Sequence, residues 1–442
     1  MRCSLVALLV VCSCSPPSGV DAGMRVDAGF EDAGFDAGPT CSAERCDGID
    51  NDCDGTIDLY PDGGPLLALC PLQLGTCQGA RGKCVAGAFP ACHAEYGGKY
   101  EEFESLCDGV DNDCSGVADV SQWRPIGDDA PYAVSLAGAW YVATGGNARI
   151  FDEQLRPTSE VFPISRNSAA TASTAVVFGN YLNQLFVPLN ASAYVRRLNL
   201  DGTYATGPDG GLLDFEVPAP LQPFGSLRAS NDRSVMLAIT PSRAQVIQFN
   251  GTVSVDRPLD AGAILFGNEA ATGTSQFIIP SARGPAVLQL SRYDDALNLD
   301  AEELLFTPGD ASRCSVSADN TQADAGSIAV CPAAQSLFAA QNLFPSQGFM
   351  PFWEADAGTV SYARAVPSFA RATVFWIHAH GTKDSTVWMG QVQGAPPAAL
   401  LELPSRPSRL DIAPSVRGGY LLSAVFDGGQ GLHAYGAYVC PP

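Results

Sequence analysis

The stretch "VRRLNLDGTY" (195–204) places a short apolar run before an Asp-Gly turn and a second β-forming run after it. That is the pattern of a β-hairpin, because Asp and Gly accept the turn while Val, Leu, Thr and Tyr prefer the pleated strand. The same pattern returns in "ARIFDEQLRP" (148–157), "QVIQFNGTVS" (245–254) and "QLSRYDDALN" (289–298). Their turn residues Asp152, Asp201, Asn250 and Asp294 are spaced by 49, 49 and 44 residues. Further hairpins begin at Thr373 and Leu421. A period of 40–50 residues built from several strands predicts a β-propeller. The 320 residues of 123–442 accommodate six or seven blades, and a pair of β-sandwiches is the alternative. A helical period is present only briefly, over Ala333–Asn342.

Composition narrows the partners. The chain has 442 residues, a net charge of −22 and lysine only at Lys83, Lys99 and Lys383. An acidic surface of this kind repels phosphate backbones and anionic membrane faces, so nucleic acid is excluded as a partner class. Hard cations are its natural small ligands.

The N-terminus, "MRCSLVALLVVCSCSPPSG", has a basic residue, Arg2, and then an apolar run, Leu5–Val11. That run is too short to span a bilayer, which takes ~20 residues, and it reads as an export signal. "VCSC" places the small Ser13 before Cys14 and resembles a bacterial lipobox, which implies that 1–13 is cleaved and Cys14 lipidated. An ordinary secretory signal is the competing reading. Segment 14–40 repeats Asp-Ala-Gly at Asp21, Asp27, Asp32 and Asp36, with little to bury. It is expected to be a disordered tether. Lipid would then be the only membrane attachment of an exported, outer-membrane protein.

Beyond Cys14 the chain has twelve cysteines, nine of them within Cys41–Asp119. An even number in an exported chain reads first as disulfides. Residues 41–122 therefore form a small module that relies on cross-links or bound metal in place of a large core. The simplest local pairing is Cys46–Cys53 and Cys107–Cys114, with Cys314–Cys331 in the β region. Cys440 is then left to reach back to the module, with Cys41 as a candidate partner.

Two stretches of the module are near copies, "CDGIDNDCDG" (46–55) and "CDGVDNDCSG" (107–116). With Asp50 as the first position, Asp52, Asp54, Gly55, Thr56 and Asp58 occupy the places of an EF-hand-type calcium loop. Alternating carboxylates would supply hard oxygen ligands, glycine the sharp turn, and the seventh residue its carbonyl. The twelfth place holds Pro61 where a bidentate Glu belongs. The second copy offers Asp111, Asp113, Ser115, Val117 and Asp119, one carboxylate fewer, and is expected to bind more weakly. Two readings compete with calcium. One is a set of Asx turns whose carboxylates satisfy backbone N–H groups. The other is a thiolate zinc site, disfavoured by the Cys-x6-Cys spacing and by export.

"ERCDGIDNDCDGTID" and "ESLCDGVDNDCSGVAD", with "CPLQLGTC", "GKCVAG" and "FPAC" between them, resemble the MopE-type metal-binding repeat of Gram-negative surface and secreted proteins. The resemblance covers Cys41–Asp119 and implies a metal-binding surface module. The family label names copper, yet the repeats contain no Met and only His93 between them, a poor donor set for a soft metal.

His378 and His380 share one strand face by period-two alternation and form a minor candidate metal pair. No G-x-S-x-G, H-E-x-x-H or Walker motif is present, so enzyme chemistry is not indicated. The expected function is binding of a protein or glycan at the cell surface. A propeller hydrolase or lyase and a copper-capturing protein are the alternatives.

Overall fold

The computed structural model describes residues 41–440 apart from short stretches, the longest being 318–326. The export signal, Cys14 and the 14–40 tether lie outside the described residues.

Seven antiparallel sheets follow one another along the chain, at 131–163, 170–217, 226–258, 263–306, 315–354, 359–403 and 409–439. The first six are meanders of neighbouring strands, the fourth with an extra short strand, Ala270–Thr272. The seventh holds only three strands from its own segment. Its fourth is Arg124–Asp128, which pairs with Leu432–Val439. The chain thus closes on itself as a seven-bladed β-propeller. Paired sandwiches do not form: among the described residues the sheets pack one on the next around a ring that Arg124–Asp128 closes on Leu432–Val439.

The core is distributed around this ring. Seven apolar clusters fill seven gaps, each between one blade and the next. Alternation along a strand assigns residues to the two gaps it faces. In strand Thr373–Ala379 of blade 6, Val374 and Trp376 pack toward blade 5, while Phe375 and Ile377 pack toward blade 7. All seven residues of that strand are buried, as expected of a sheet covered on both sides.

The four recurring hairpin turns occupy one structural position. Asp152 ends the third strand of blade 1, and Asp201, Asn250 and Asp294 follow the third strands of blades 2 to 4. In each, the side-chain Oδ1 accepts the amide two residues on, from Gln154, Thr203, Thr252 and Ala296, at 2.9 Å. This Asx turn starts the return to the outer strand and explains why Asp or Asn recurs there. Ala333–Asn342 is not helical. Ser336–Gln341 is a strand paired on both sides, by Ile328–Ala333 and Met350–Glu354. Ten residues are too few for a helix to hold by itself, and the sheet offers hydrogen bonds on both edges.

The chain divides into two compact units, Met1–Leu66 with Val85–Ala88 and Leu67–Cys84 with Phe89–Pro442. The described part of the first unit has almost no apolar core: Ile49, Ile57 and Tyr60 are exposed. The second unit contains the propeller and, before it, a hairpin of Leu67–Leu69 with Arg81–Lys83 and a small cluster of Cys70, Cys77, Tyr96 and Cys114.

All twelve described cysteines are disulfide-bonded. Cys314–Cys331 forms within the blade 5 segment as expected. The local pairs Cys46–Cys53 and Cys107–Cys114 do not form. Cys53 bonds Cys41, Cys114 bonds Cys77, Cys70 bonds Cys92, and Cys107, not Cys41, is the partner of Cys440. The interior of each acidic loop is filled by carboxylates and the amides they accept, so the cysteines fasten the loop to its surroundings. Cys53 and Cys114 also share a left-handed backbone, at φ 64° and 59°.

Candidate metal centres

The two acidic loops fold alike, residue for residue. Asp47 and Asp108 each accept the amide two positions on, at Ile49 and Val110, and the side-chain amide of Asn51 or Asn112. Left-handed backbone falls at Gly48 and Gly109, Cys53 and Cys114, Gly55 and Gly116, Asp58 and Asp119. The Gly55 and Gly116 amides donate to Oδ2 of Asp50 and Asp111. At φ 90° and 97° these two places suit glycine far better than any other residue.

Within each loop the structure gathers three carboxylates, with oxygens within 4.8 Å of one another. They are Glu44, Asp50 and Asp52 in the first loop and Glu104, Asp111 and Asp113 in the second. The glutamates do not belong to the linear calcium-loop pattern. Both are positioned by the loop backbone: Glu44 Oε1 accepts the Asn51 and Asp52 amides, and Glu104 Oε2 accepts the Asn112 amide at 2.7 Å. Glu44 lies two residues before its Cys-Asp-Gly and Glu104 three residues before, so a fixed-spacing motif misses the equivalence. The available signal was a Glu just upstream of both copies.

The remaining predicted ligands stand outside these triads. Asp54 Oδ1 accepts the amide and hydroxyl of Thr56, which holds its carboxyl below the usual range. Asp58 Oδ1 accepts the Asp47 and Gly48 amides, and Asp119 Oδ1 accepts the Gly109 amide, so both close the base of their loop. Ser115 donates its amide to Asp111 and Asp113, and the Val117 side chain is exposed. The Asx-turn reading therefore describes Asp54, Asp58 and Asp119, while a convergent anionic centre describes the triads.

The loops differ in depth rather than in number of carboxylates. Glu44, Asp50 and Asp52 are half-buried, whereas Glu104 is fully buried and Asp111 and Asp113 are more than nine-tenths buried. Burial, reinforced by Asp113 and Glu101, pushes the Glu104 carboxyl up to about 7 against the Asn112 hydrogen bonds. Burial likewise raises Asp113. Three carboxylates held this close repel one another unless a cation lies among them or a proton is taken up.

A family comparison bears on these loops. The sequence model "Cu-binding MopE: Putative metal-binding motif" matches residues 41–58 and 101–119. Both loops match the MopE motif. Each match contains a complete triad, Glu44–Asp50–Asp52 in the first and Glu104–Asp111–Asp113 in the second. No curated protein matches the chain significantly. Among solved structures, Raptor of Chaetomium thermophilum is 10% identical at a TM-score of 0.44. The match covers 73% of this chain and 30% of that one. The Pan2 WD40 domain of Neurospora crassa is 12% identical at a TM-score of 0.45, with 72% and 96% covered.

The donor set of the MopE loops fits a hard cation. Each triad is all-oxygen, and in the first the buried Asp50 Oδ1 has no hydrogen-bond partner. The set does not fit the copper of the family name. Every described cysteine is in a disulfide, and His93 stacks on Tyr100 with ring centroids 5.9 Å apart. His378 and His380 sit together in blade 6, ring centroids 4.1 Å apart. The Nε2 of His378 lies 2.7 Å from the Ala357 carbonyl oxygen and that of His380 3.1 Å from Thr386 Oγ1. No third His, Cys or carboxylate among the described residues joins them at ligand distance. Among the described residues no helix is long and apolar enough to cross a membrane.

Proposed function

We propose that this chain is an exported surface protein, lipidated at Cys14, whose MopE loops hold calcium and whose propeller binds a protein or glycan partner. The observation that supports the reading best is the pair of carboxylate triads built by equivalent backbone in the two loops. Glu44, Asp50 and Asp52 would hold one cation, and Glu104, Asp111 and Asp113 the other. Calcium takes six to eight oxygens, so carbonyls and waters complete the shell of each.

The role of the ion is structural. It supplies positive charge where three carboxylates meet and frees a loop with little apolar core from mutual repulsion. The propeller offers a rigid scaffold whose loops are free to vary, which suits recognition at a cell surface.

Metal analysis of the full-length exported protein tests the reading, with melting followed in calcium and in chelator. Calcium that co-purifies, and a melting temperature that falls on chelation, support it. A protein free of calcium, whose melting chelator leaves unchanged, overturns it. Cys14→Ser is expected to release the protein from the membrane fraction, and retention would refute the anchor.

A further inference from the structure

The second MopE loop leads directly into the strand that closes the propeller. Asp119 comes eight positions after Asp111, and Arg124–Asp128 follows as the outer strand of blade 7. Around the junction the loop is stitched to the far end of the chain. The Cys440 amide donates to the Asp119 carbonyl at 2.9 Å, and the Ser121 amide donates to the Tyr438 carbonyl at 2.9 Å. The Tyr438 amide donates to Ser121 Oγ at 2.7 Å, and Val120 bridges Val439. Cys107 is disulfide-bonded to Cys440.

The loop also enters the core at the seam. Phe103, beside Glu104, is 1% exposed in the cluster between blades 7 and 1, with Ile126, Trp140, Leu421 and Tyr438. Arg124 lies over its ring at 4.8 Å and donates to the Glu102 and Gln154 carbonyls. The Asp119 carboxylate, meanwhile, holds the Gly109 amide and so ties the loop's exit to its entry.

We propose that the second MopE loop is a cation-operated clasp of the propeller ring. A cation drawn in by Glu104, Asp111 and Asp113 joins the segment carrying Phe103 to the turn that ends at Asp119. Those are the two places where the loop grips the seam. Without the ion, the bridge between Glu104 and the Asp111–Asp113 turn is lost and the two segments part more easily. Phe103 then loosens from the cluster, and the rungs at Asp119, Val120 and Ser121 weaken. The disulfide keeps the ends tethered, so the ring loosens at its seam without opening fully. This rests on the calcium reading and adds that calcium governs the integrity of the binding platform itself.

Hydrogen–deuterium exchange of the intact, oxidised protein, in calcium and in chelator, is the test. Exchange in peptides covering 120–128 and 432–440 is expected to rise about tenfold or more in chelator, while 235–248 in blade 3 stays unchanged. Asp111→Asn with Asp113→Asn should reproduce the effect in calcium, and Cys107→Ser with Cys440→Ser should enlarge the response to chelator. Calorimetric titration with calcium separates the two possible failures. If calcium binds with these carboxylates but seam exchange does not change, the clasp is wrong and the calcium reading stands. If calcium does not bind at all, both fall.

Discussion

Cys107 and Cys440 are covalently joined with their Cα atoms 5.4 Å apart, although 333 residues of chain separate them. A cross-link over so long a loop removes much of the freedom of the unfolded chain. It sits at the one blade whose strands come from both ends of the sequence. Replacing both residues by serine should therefore lower stability by about 2–5 kcal/mol while the β-sheet content stays the same. Chemical denaturation followed by tryptophan fluorescence reads this directly, and an unchanged midpoint would show that hydrogen bonding alone secures the seam.

The triads predict a ranking of loop substitutions that differs from the linear calcium-loop pattern. Glu44→Gln and Glu104→Gln should each weaken calcium binding at their own loop about tenfold or more, since each removes a charged ligand. Asp54→Asn should have a smaller effect, because Asp54 already serves the Thr56 amide and hydroxyl. Calcium titration of the three variants decides the order. The pattern-based expectation is the reverse, with Asp54 essential and the glutamates neutral.

Gly75 offers a steric test of the second loop from outside it. A Cβ there would lie 2.2 Å from the Asp111 carbonyl oxygen and 2.5 Å from its carboxyl carbon, on a backbone at φ 52°. Thr76 meanwhile donates its amide to that same carbonyl. Gly75→Ala should displace Asp111, destabilise the protein by about 1–3 kcal/mol and weaken calcium binding at the second loop. Thermal melts and calcium titration check both effects.

These loops also show how far the sequence could be read. The Asp and Cys spacing located both acidic loops, because Asx turns and left-handed glycines impose a fixed local pattern. Glu44 and Glu104 escaped it, since they reach the centre from different distances along the chain. The cysteine pairs escaped for a related reason: partners 12, 22, 37 and 333 residues apart are chosen by tertiary approach, which spacing does not encode. The propeller was legible through Asp152, Asp201, Asn250 and Asp294, whose side chains build the same turn in successive blades. In blades 6 and 7 the hairpins plainest in the sequence are those of the second and third strands, which blurs the period. Buried strands such as Thr373–Ala379 carry apolar residues on both faces and lose the alternation that marks a half-buried strand.

His378 gives a pH dependence of the propeller that is independent of metal. It is 4% exposed, and burial, with His380 beside it, holds its pKa below the usual value of 6.5. A histidine whose folded pKa is depressed favours the neutral form. Its stabilising contribution is complete above pH 6.5 and is lost as pH falls toward the folded pKa. Wild-type melting should therefore decline below pH 6.5, and His378→Gln should flatten that decline. An identical pH profile in the variant would place the acid sensitivity elsewhere.

Arg196 and Asp214 form an ion pair that is almost wholly buried, at 3% and 2% side-chain exposure, with nitrogen and oxygen 2.9 Å apart. Arg196 also donates to the Ile164 carbonyl of the preceding blade segment. Arg196→Met should cost about 3–5 kcal/mol, because it strands the Asp214 charge in the interior. Pairing it with Asp214→Leu should recover part of the loss in denaturant melts, and no recovery would show that the Ile164 contact carries the effect.

Calcium titration of the full-length protein by calorimetry, after exhaustive chelation, tests the central claim most directly. Two equivalents should bind, one per triad, with one lost in Glu44→Gln/Asp52→Asn and the other in Glu104→Gln/Asp113→Asn. A protein that takes up no calcium, or that takes it up equally well without these carboxylates, would contradict the account.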